Sequence, residues 1–92
     1  MNSYYLTLVL KTGEEKERNA FLDSLRKQIT ADEGKIEKED LWGERALSYP
    51  IKQQTKGFYA HFEIQSDSQK IKGIDKNLRL DEDVLRYLLV RR

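Results

Sequence analysis

Residues 40–64 read DLWGERALSYPIKQQTKGFYAHFEI. The stretch has the pattern of two strands joined by a hairpin. In its second half Phe58, Ala60, Phe62 and Ile64 fall on one strip and Tyr59, His61 and Glu63 on the other, the period-two alternation of a strand with one buried face. In its first half a strand runs from Lys35 to about Tyr49. Trp42-Gly43 lies inside it, and a glycine within a strand commonly marks a bulge or bend. Lys52–Gly57 is polar and reads as the hairpin loop. Pro50 is the only proline of the chain. Proline removes a ladder donor, so its strand is an edge strand or is ending there. An edge strand bearing Arg45, Trp42 and Tyr49 is a plausible docking surface for a partner.

On the N-terminal side, Tyr4–Leu10 alternates, with Leu6, Leu8 and Leu10 on one face and Tyr5, Thr7 and Val9 on the other. Both faces are fairly apolar, as in a central strand. Thr12 and Glu15 have the spacing of a capping box, and the acidic first turn suits the helix dipole. Phe21, Leu22, Leu25 and Ile29 then recur at helical spacing, so a helix is expected over about 13–30. Gly34 breaks it before the second strand.

On the C-terminal side, Ser66 and Gln69 repeat the capping-box spacing. Ile71, Ile74 and Leu78 give the apolar face of a second helix, inside which Gly73 is expected to permit close packing on the sheet. Val84–Val90 is a last strand, apolar at most positions, so its period leaves open which strip faces the helices. The order β-α-β-β-α-β is that of a ferredoxin-like α+β domain, a four-stranded antiparallel sheet with two helices on one face. The 92 residues form a single domain, 1–92.

A chain this short buries one modest core and has little room for a deep cleft. Charged residues make up 36%, above the usual quarter or so, so the surface is densely charged. There is no cysteine, which excludes disulfides, thiolate catalysis and cysteine metal sites and fits a cytoplasmic protein. No apolar run approaches the length of a membrane span, and no signal peptide is visible. Net charge is +1 but uneven. Through Glu44 there are 7 Lys/Arg against 10 Asp/Glu; from Arg45 on there are 10 against 6. The total is far from the strong basic excess of a lone nucleic-acid binder.

Catalysis finds no constellation. His61 is the only histidine; it has no nucleophile to serve, and Ser48 is not in a nucleophile-elbow context. Gly-rich phosphate loops and His/Asp metal spacing are absent. An enzyme, a cofactor, a metal site and a small-molecule substrate are therefore not expected. Lys56-Gly57-Phe58 opens its strand as the RNA-recognition-motif signature does, but Phe58, Ala60 and Phe62 look like core strip rather than an open stacking face. The open face would carry Tyr5, Tyr59 and His61, with Thr7 and Glu63 between them. It is either a solvated face with scattered aromatics or a contact surface. Trp42, Tyr49 and Pro50 are either a core aromatic and a strand-ending turn or a docking edge. Lys70, Lys72 and Lys76 read as an exposed helix face.

Trp42-Gly43-Glu44-Arg45-Ala46-Leu47-Ser48-Tyr49-Pro50-Ile51 resembles the Trp-Gly-basic-basic-x-Leu-Ala-Tyr-Pro-Ile run of bacterial small-subunit ribosomal protein number six. The opening Tyr4–Leu10 and the closing Leu78–Arg86 resemble that family's first strand and its Leu-Arg-x-x-Asp-x-Val-x-Arg segment. The resemblance covers most of the chain and implies the same ferredoxin-like fold. It implies a structural constituent of the small ribosomal subunit in the cytoplasm, paired with the basic small-subunit ribosomal protein number eighteen and bound with it to the central domain of the small-subunit ribosomal RNA. That partner would supply much of the counter-charge this chain lacks, with contacts mainly to phosphate and RNA shape.

On that resemblance Arg45, Lys56, Arg79, Arg86, Arg91 and Arg92 are the expected RNA contacts, since the guanidinium fork pairs phosphate oxygens. Taken one at a time, each is ordinary solvated surface. As a group, those on strands form one patch if the second and fourth strands flank the sheet. Trp42, Tyr49, Pro50, Tyr59 and His61 are the expected partner contacts. The chain departs from the family at Glu44 and Ala46, where basic or polar residues are common, and at Tyr5, where Glu is usual. Two other readings carry different expectations. A ferredoxin-like regulatory or ligand-binding module would act as a homodimer without RNA affinity. A lone single-strand RNA binder would stack bases on Tyr59 and His61.

Overall fold

A computed structural model describes residues 2–92. The elements in chain order are β1 (Asn2–Leu10), α1 (Glu15–Thr30), a short 3-10 turn (Ala31–Glu33), β2 (Lys35–Ile51), β3 (Gln54–Ser66), α2 (Ser68–Leu80) and β4 (Val84–Arg91). The strands form one antiparallel sheet in the order β2-β3-β1-β4. This is the expected ferredoxin-like α+β arrangement, with β1 and β3 central and β2 and β4 at the edges.

The alternation read from β1 and β3 is the alternation of the core. Leu6, Leu8 and Leu10 join Phe58, Ala60, Phe62 and Ile64 in one buried cluster with Leu22, Leu25 and Ile29 of α1 and Ile71, Ile74 and Leu78 of α2. Both helices therefore cover the same face. Register pairs Leu6 with Phe62 on one side and with Leu89 on the other. That settles β4: Tyr87 and Leu89 pack toward the helices, while Arg86, Leu88 and Val90 belong to the open face.

Four local expectations are corrected. The capping box at Thr12 does not form: Glu14 holds the N-cap position without a side-chain bond, and Glu15 and Glu17 complement the helix dipole instead. In α2 the cap is Asp67, whose carboxylate accepts from Lys70 N at 2.8 Å. Ser66 is fully buried as the last inward residue of β3, and the aspartate, charged and closer to the helix, is at least as good a cap. The hairpin loop is not six residues but the two-residue turn Lys52-Gln53, with φ of 49° and 66° and Ile51 paired to Gln54. Tight hairpin turns need such positive φ values. Neither residue advertises them as Asn-Gly does, so the turn is hidden in the sequence. Finally, Gly73 lies on the exposed side of α2 with nothing within 4 Å of where a Cβ would stand, so it serves no close approach to the sheet.

Besides a register shift between Ile36 and Lys38, two shifts fall in the later part of β2, between Leu41 and Gly43 and between Ala46 and Ile51. The first is the expected bulge at Trp42, made possible by Gly43 at φ +86°. The second contains Tyr49 and Pro50, where the missing N–H of proline falls outside the paired ladder. Beyond these shifts the hairpin end folds back over the open face of the sheet. At Gly57 a side chain would collide with Val9 Cγ1 and meet Leu47 Cδ2 at 3.3 Å. The glycine is thus what lets Leu47 close over β1.

Candidate functional site

The face of the sheet away from the helices has two halves. Cross-strand pairing lines up Asp40, His61, Thr7 and Leu88 in one row, and Lys38, Glu63, Tyr5 and Val90 in the next. In this half the aromatics form a column. Trp42 and His61 stack at 5.7 Å between centroids with their planes 4° apart. Tyr5 follows at 5.8 Å and 28° on the other side of His61. The Arg92 guanidinium lies 5.1 Å over the Tyr5 ring. Thr7 Oγ1 is 2.9 Å from His61 Nδ1, a bond that fixes the imidazole in the stack. Arg92 is further held by Glu37 at 3.5 Å and Glu63 at 3.7 Å.

The second half is a cavity of about 310 Å³ beneath the returning hairpin, lined by Thr7, Val9, Leu47, Tyr49, Ile51, Tyr59, Arg86 and Leu88 among others. Arg86 Nη1 donates to the Tyr49 hydroxyl at 3.0 Å, and Lys52 Nζ donates to the Val84 carbonyl at 3.2 Å. These two bonds hold the hairpin end against β4. Val9, an open-face residue, is only 7% exposed as a result. Beside the cavity the surface stays apolar: Leu88 is 61% and Val90 41% exposed, and Tyr49 is exposed as well.

The expected cations sort into two kinds. Arg79 is occupied by Asp75 at 2.6 Å on α2, in the helical layer and away from the open face. Arg92 is occupied by Glu37 and Glu63. Among the described residues Arg45, Lys56, Arg86 and Arg91 have no carboxylate within 4.0 Å. Arg91 instead donates to the Asn2 side chain at 2.9 Å. β2 and β4 do flank the sheet, but the strand-borne arginines make two groups rather than one. Arg45, Lys56 and Arg86 gather at the hairpin end. Arg91 and Arg92 stand at the other end of β4, beside the start of β1.

Among the expected partner contacts, Tyr49 and Tyr59 line the cavity, Trp42 and His61 belong to the aromatic column, and Pro50 is exposed on the hairpin. Sequence reasoning missed Leu47, Lys52, Leu88 and Val90. For Leu88 and Val90 the signal was present but symmetric, because both strips of β4 are apolar. Glu44, where the family pattern has a basic residue, faces Arg18 at 3.9 Å, and that arginine in turn lies 4.2 Å over the Phe58 ring. Lys70 is not simply an exposed helix lysine, since its Nζ is buried without a partner.

The Tyr87 hydroxyl donates to Asp75 Oδ1 at 2.7 Å and ties β4 to α2. That bond, with Arg79 adding to it, holds the Asp75 carboxyl below the usual carboxylate range, and the same carboxylate pushes the Tyr87 phenol up. Among the described residues no cluster of His, Cys, Asp and Glu could hold a metal, and no helix is long and apolar enough to cross a membrane.

Residues 3–91 match the family model for ribosomal protein S6. The chain is 38% identical over 91 residues to small ribosomal subunit protein bS6 of Clostridioides difficile, covering 98% of each. It is 44% identical over 96 residues to the bS6 protein of Azobacteroides pseudotrichonymphae, covering 99% of this chain and 82% of that one. The crystal structure of 30S ribosomal protein S6 from Thermotoga maritima superposes with a TM-score of 0.90 at 25% identity, covering 99% of this chain and 87% of that one.

Proposed function

The chain belongs to the ribosomal protein S6 family, and from that premise we propose that it binds the central domain of the small-subunit ribosomal RNA together with the basic small-subunit ribosomal protein number eighteen. Its role is that of a structural, non-catalytic protein of the small ribosomal subunit, in the cytoplasm.

The observation that carries the RNA part is the set of cations left without a carboxylate. Arg45, Lys56 and Arg86 share the hairpin end, with Lys52 beside them. A guanidinium already saturated by carboxylates loses those bonds on taking a phosphate, whereas a free one does not. The hairpin end is therefore the RNA-facing region, with Arg91 as a separate contact, and Arg79 and Arg92 contribute little. Three or four such contacts on a chain of net charge +1 make weak binding alone, and a basic partner supplies the remainder.

The open face supports the protein part. Leu88 and Tyr49 line a largely apolar cavity with Val90 exposed beside it, and an exposed apolar surface of this kind is typical of a protein interface. The aromatic column does not support the lone-RNA-binder reading. The rings of Tyr5 and His61 are stacked on each other, so His61 offers no free face to a base.

The test is binding to an RNA fragment of the central domain, with and without the basic partner. Binding that needs both proteins and weakens with Arg86→Ala is the expected result. Equal, negligible binding from a folded protein in both cases would refute it. Sedimentation of the chain alone then distinguishes the homodimeric module, which predicts a stable dimer.

A further inference from the structure

We infer that the outer face of the Trp42 indole is a docking point for an arginine side chain of a basic protein partner, an inference that rests on the partner reading above.

The column Arg92–Tyr5–His61–Trp42 is capped by a guanidinium at one end only. At the other end stands Trp42, 46% exposed. It lies on β2, an edge strand, so no further strand covers it. Among the described residues no ring or cation stacks on its second face. The indole has the strongest ring quadrupole of the aromatic side chains, and its free face attracts a cation. The imidazole behind it is parallel within 4°, which fixes the indole plane before anything binds and reduces the ordering cost of docking.

Local charge decides which planar group fits. Between Lys35 and Glu44 the strand carries four carboxylates and two lysines. Glu37, Glu39 and Glu44 are engaged with Arg92, Arg26 and Arg18. Asp40, paired in register with His61 and so beside the column, has only the exposed Lys38 at 3.6 Å. A nucleobase would bring its phosphate toward Asp40, whereas an arginine brings the complementary charge. The guanidinium is also flat and weakly hydrated and stacks where an ammonium does not. The face thus divides its work: phosphate at the hairpin end, an arginine at Trp42.

Trp42 is the only tryptophan of the chain, so indole emission has a single source. The experiment titrates the folded 92-residue chain with hexa-arginine and hexa-lysine peptides, with the basic partner protein, and with the RNA fragment alone. The expected result is that hexa-arginine changes Trp42 emission at a concentration roughly three- to tenfold below hexa-lysine and competes with the partner. Trp42→Leu, at an exposed position, weakens the partner by a similar roughly three- to tenfold factor, while Trp42→Phe retains most of the affinity. Equal responses to the two peptides would overturn the inference, as would undiminished partner affinity in Trp42→Leu. A shift of Trp42 emission by the RNA fragment alone would overturn it too, by assigning the indole to a base. If the partner fails to bind the wild-type chain while hexa-arginine still outcompetes hexa-lysine, the partner reading falls and the arginine chemistry of Trp42 stands.

Discussion

Arg86 Nη1 and the Tyr49 hydroxyl meet at 3.0 Å although they belong to β4 and β2, the two opposite edges of the sheet. Such a bond exists only because the end of the β2–β3 hairpin arches over the strands between them. It also places one of the free cations in reach of the hairpin, so the position of Arg86 and the posture of residues 47–53 depend on each other.

Tyr49→Phe removes this bond and leaves the ring. We expect a stability loss of at most about 1 kcal/mol, because the pair is exposed. Faster amide exchange is expected across 47–53, with exchange in β1 unchanged. Hydrogen exchange read by mass spectrometry decides it. Identical protection in the variant would show that Leu47 packing alone holds the hairpin down.

The salt dependence of RNA binding by the protein pair should separate free from occupied cations. Each phosphate contact contributes about 0.7–0.9 to the slope of log K against log salt. Arg45→Ala, Lys56→Ala, Arg86→Ala and Arg91→Ala should each lower that slope by up to this amount. Arg79→Ala, whose guanidinium is taken by Asp75, should leave it unchanged.

The two glycines Gly57 and Gly73 should respond to alanine with opposite signs. At Gly57 the new methyl group meets Val9 and Leu47, an overpacked site that costs roughly 1–3 kcal/mol. At Gly73 it meets nothing within 4 Å, and the helix gains roughly 0.5–1 kcal/mol from better propensity. Urea unfolding of the two variants is sufficient. Stabilisation by Gly57→Ala would contradict the described closure of Leu47 over Val9.

Asp75 gives a pH signature. Its folded carboxyl lies below its ordinary value because Tyr87 and Arg79 favour the charged form. Its contribution to stability is therefore complete above the unfolded value of about 3.9 and is lost as pH falls through the folded one. Tyr87 is raised, so its contribution is complete below about 10 and lost as pH rises through its folded value. Asp75→Asn should cost on the order of 1 kcal/mol at neutral pH. The difference from wild type should shrink on acidification below about pH 4. A pH-independent difference would show that the hydrogen-bond geometry matters and the charge does not.

The fold was legible wherever one face of an element is apolar and the other is not. Leu6, Leu8 and Leu10 against Thr7, and Phe58, Ala60 and Phe62 against His61, declare their strips outright. The bulge at Trp42-Gly43 was legible because glycine is the residue that accepts φ +86°. The Lys52-Gln53 turn was not, because neither residue has a preference for the left-handed region and tertiary packing imposes it. The strips of β4 were not, because Leu85, Leu88 and Val90 are as apolar as Tyr87 and Leu89. At the site, the residue types were legible but their partners were not. Nothing in the spacing shows that Arg92 is consumed by Glu37 and Glu63, or that Arg86 is held only by a phenol. Those facts arise from pairing between segments as many as 55 residues apart.

The place of β1 has a consequence for the order in which the chain can fold. It is the first strand made, yet its neighbours are β3 and β4, the last two. While the polypeptide is being synthesised, Leu6, Leu8 and Leu10 have only α1 to lie against until Phe58–Ile64 has been made. Their other flank stays open until Tyr87 and Leu89 follow. Pairing across such sequence separations is slow to close. The inward strip of β1 therefore waits for its two strand partners until β3 and then β4 have been made, and the sheet closes around β1 only when β4 pairs with it.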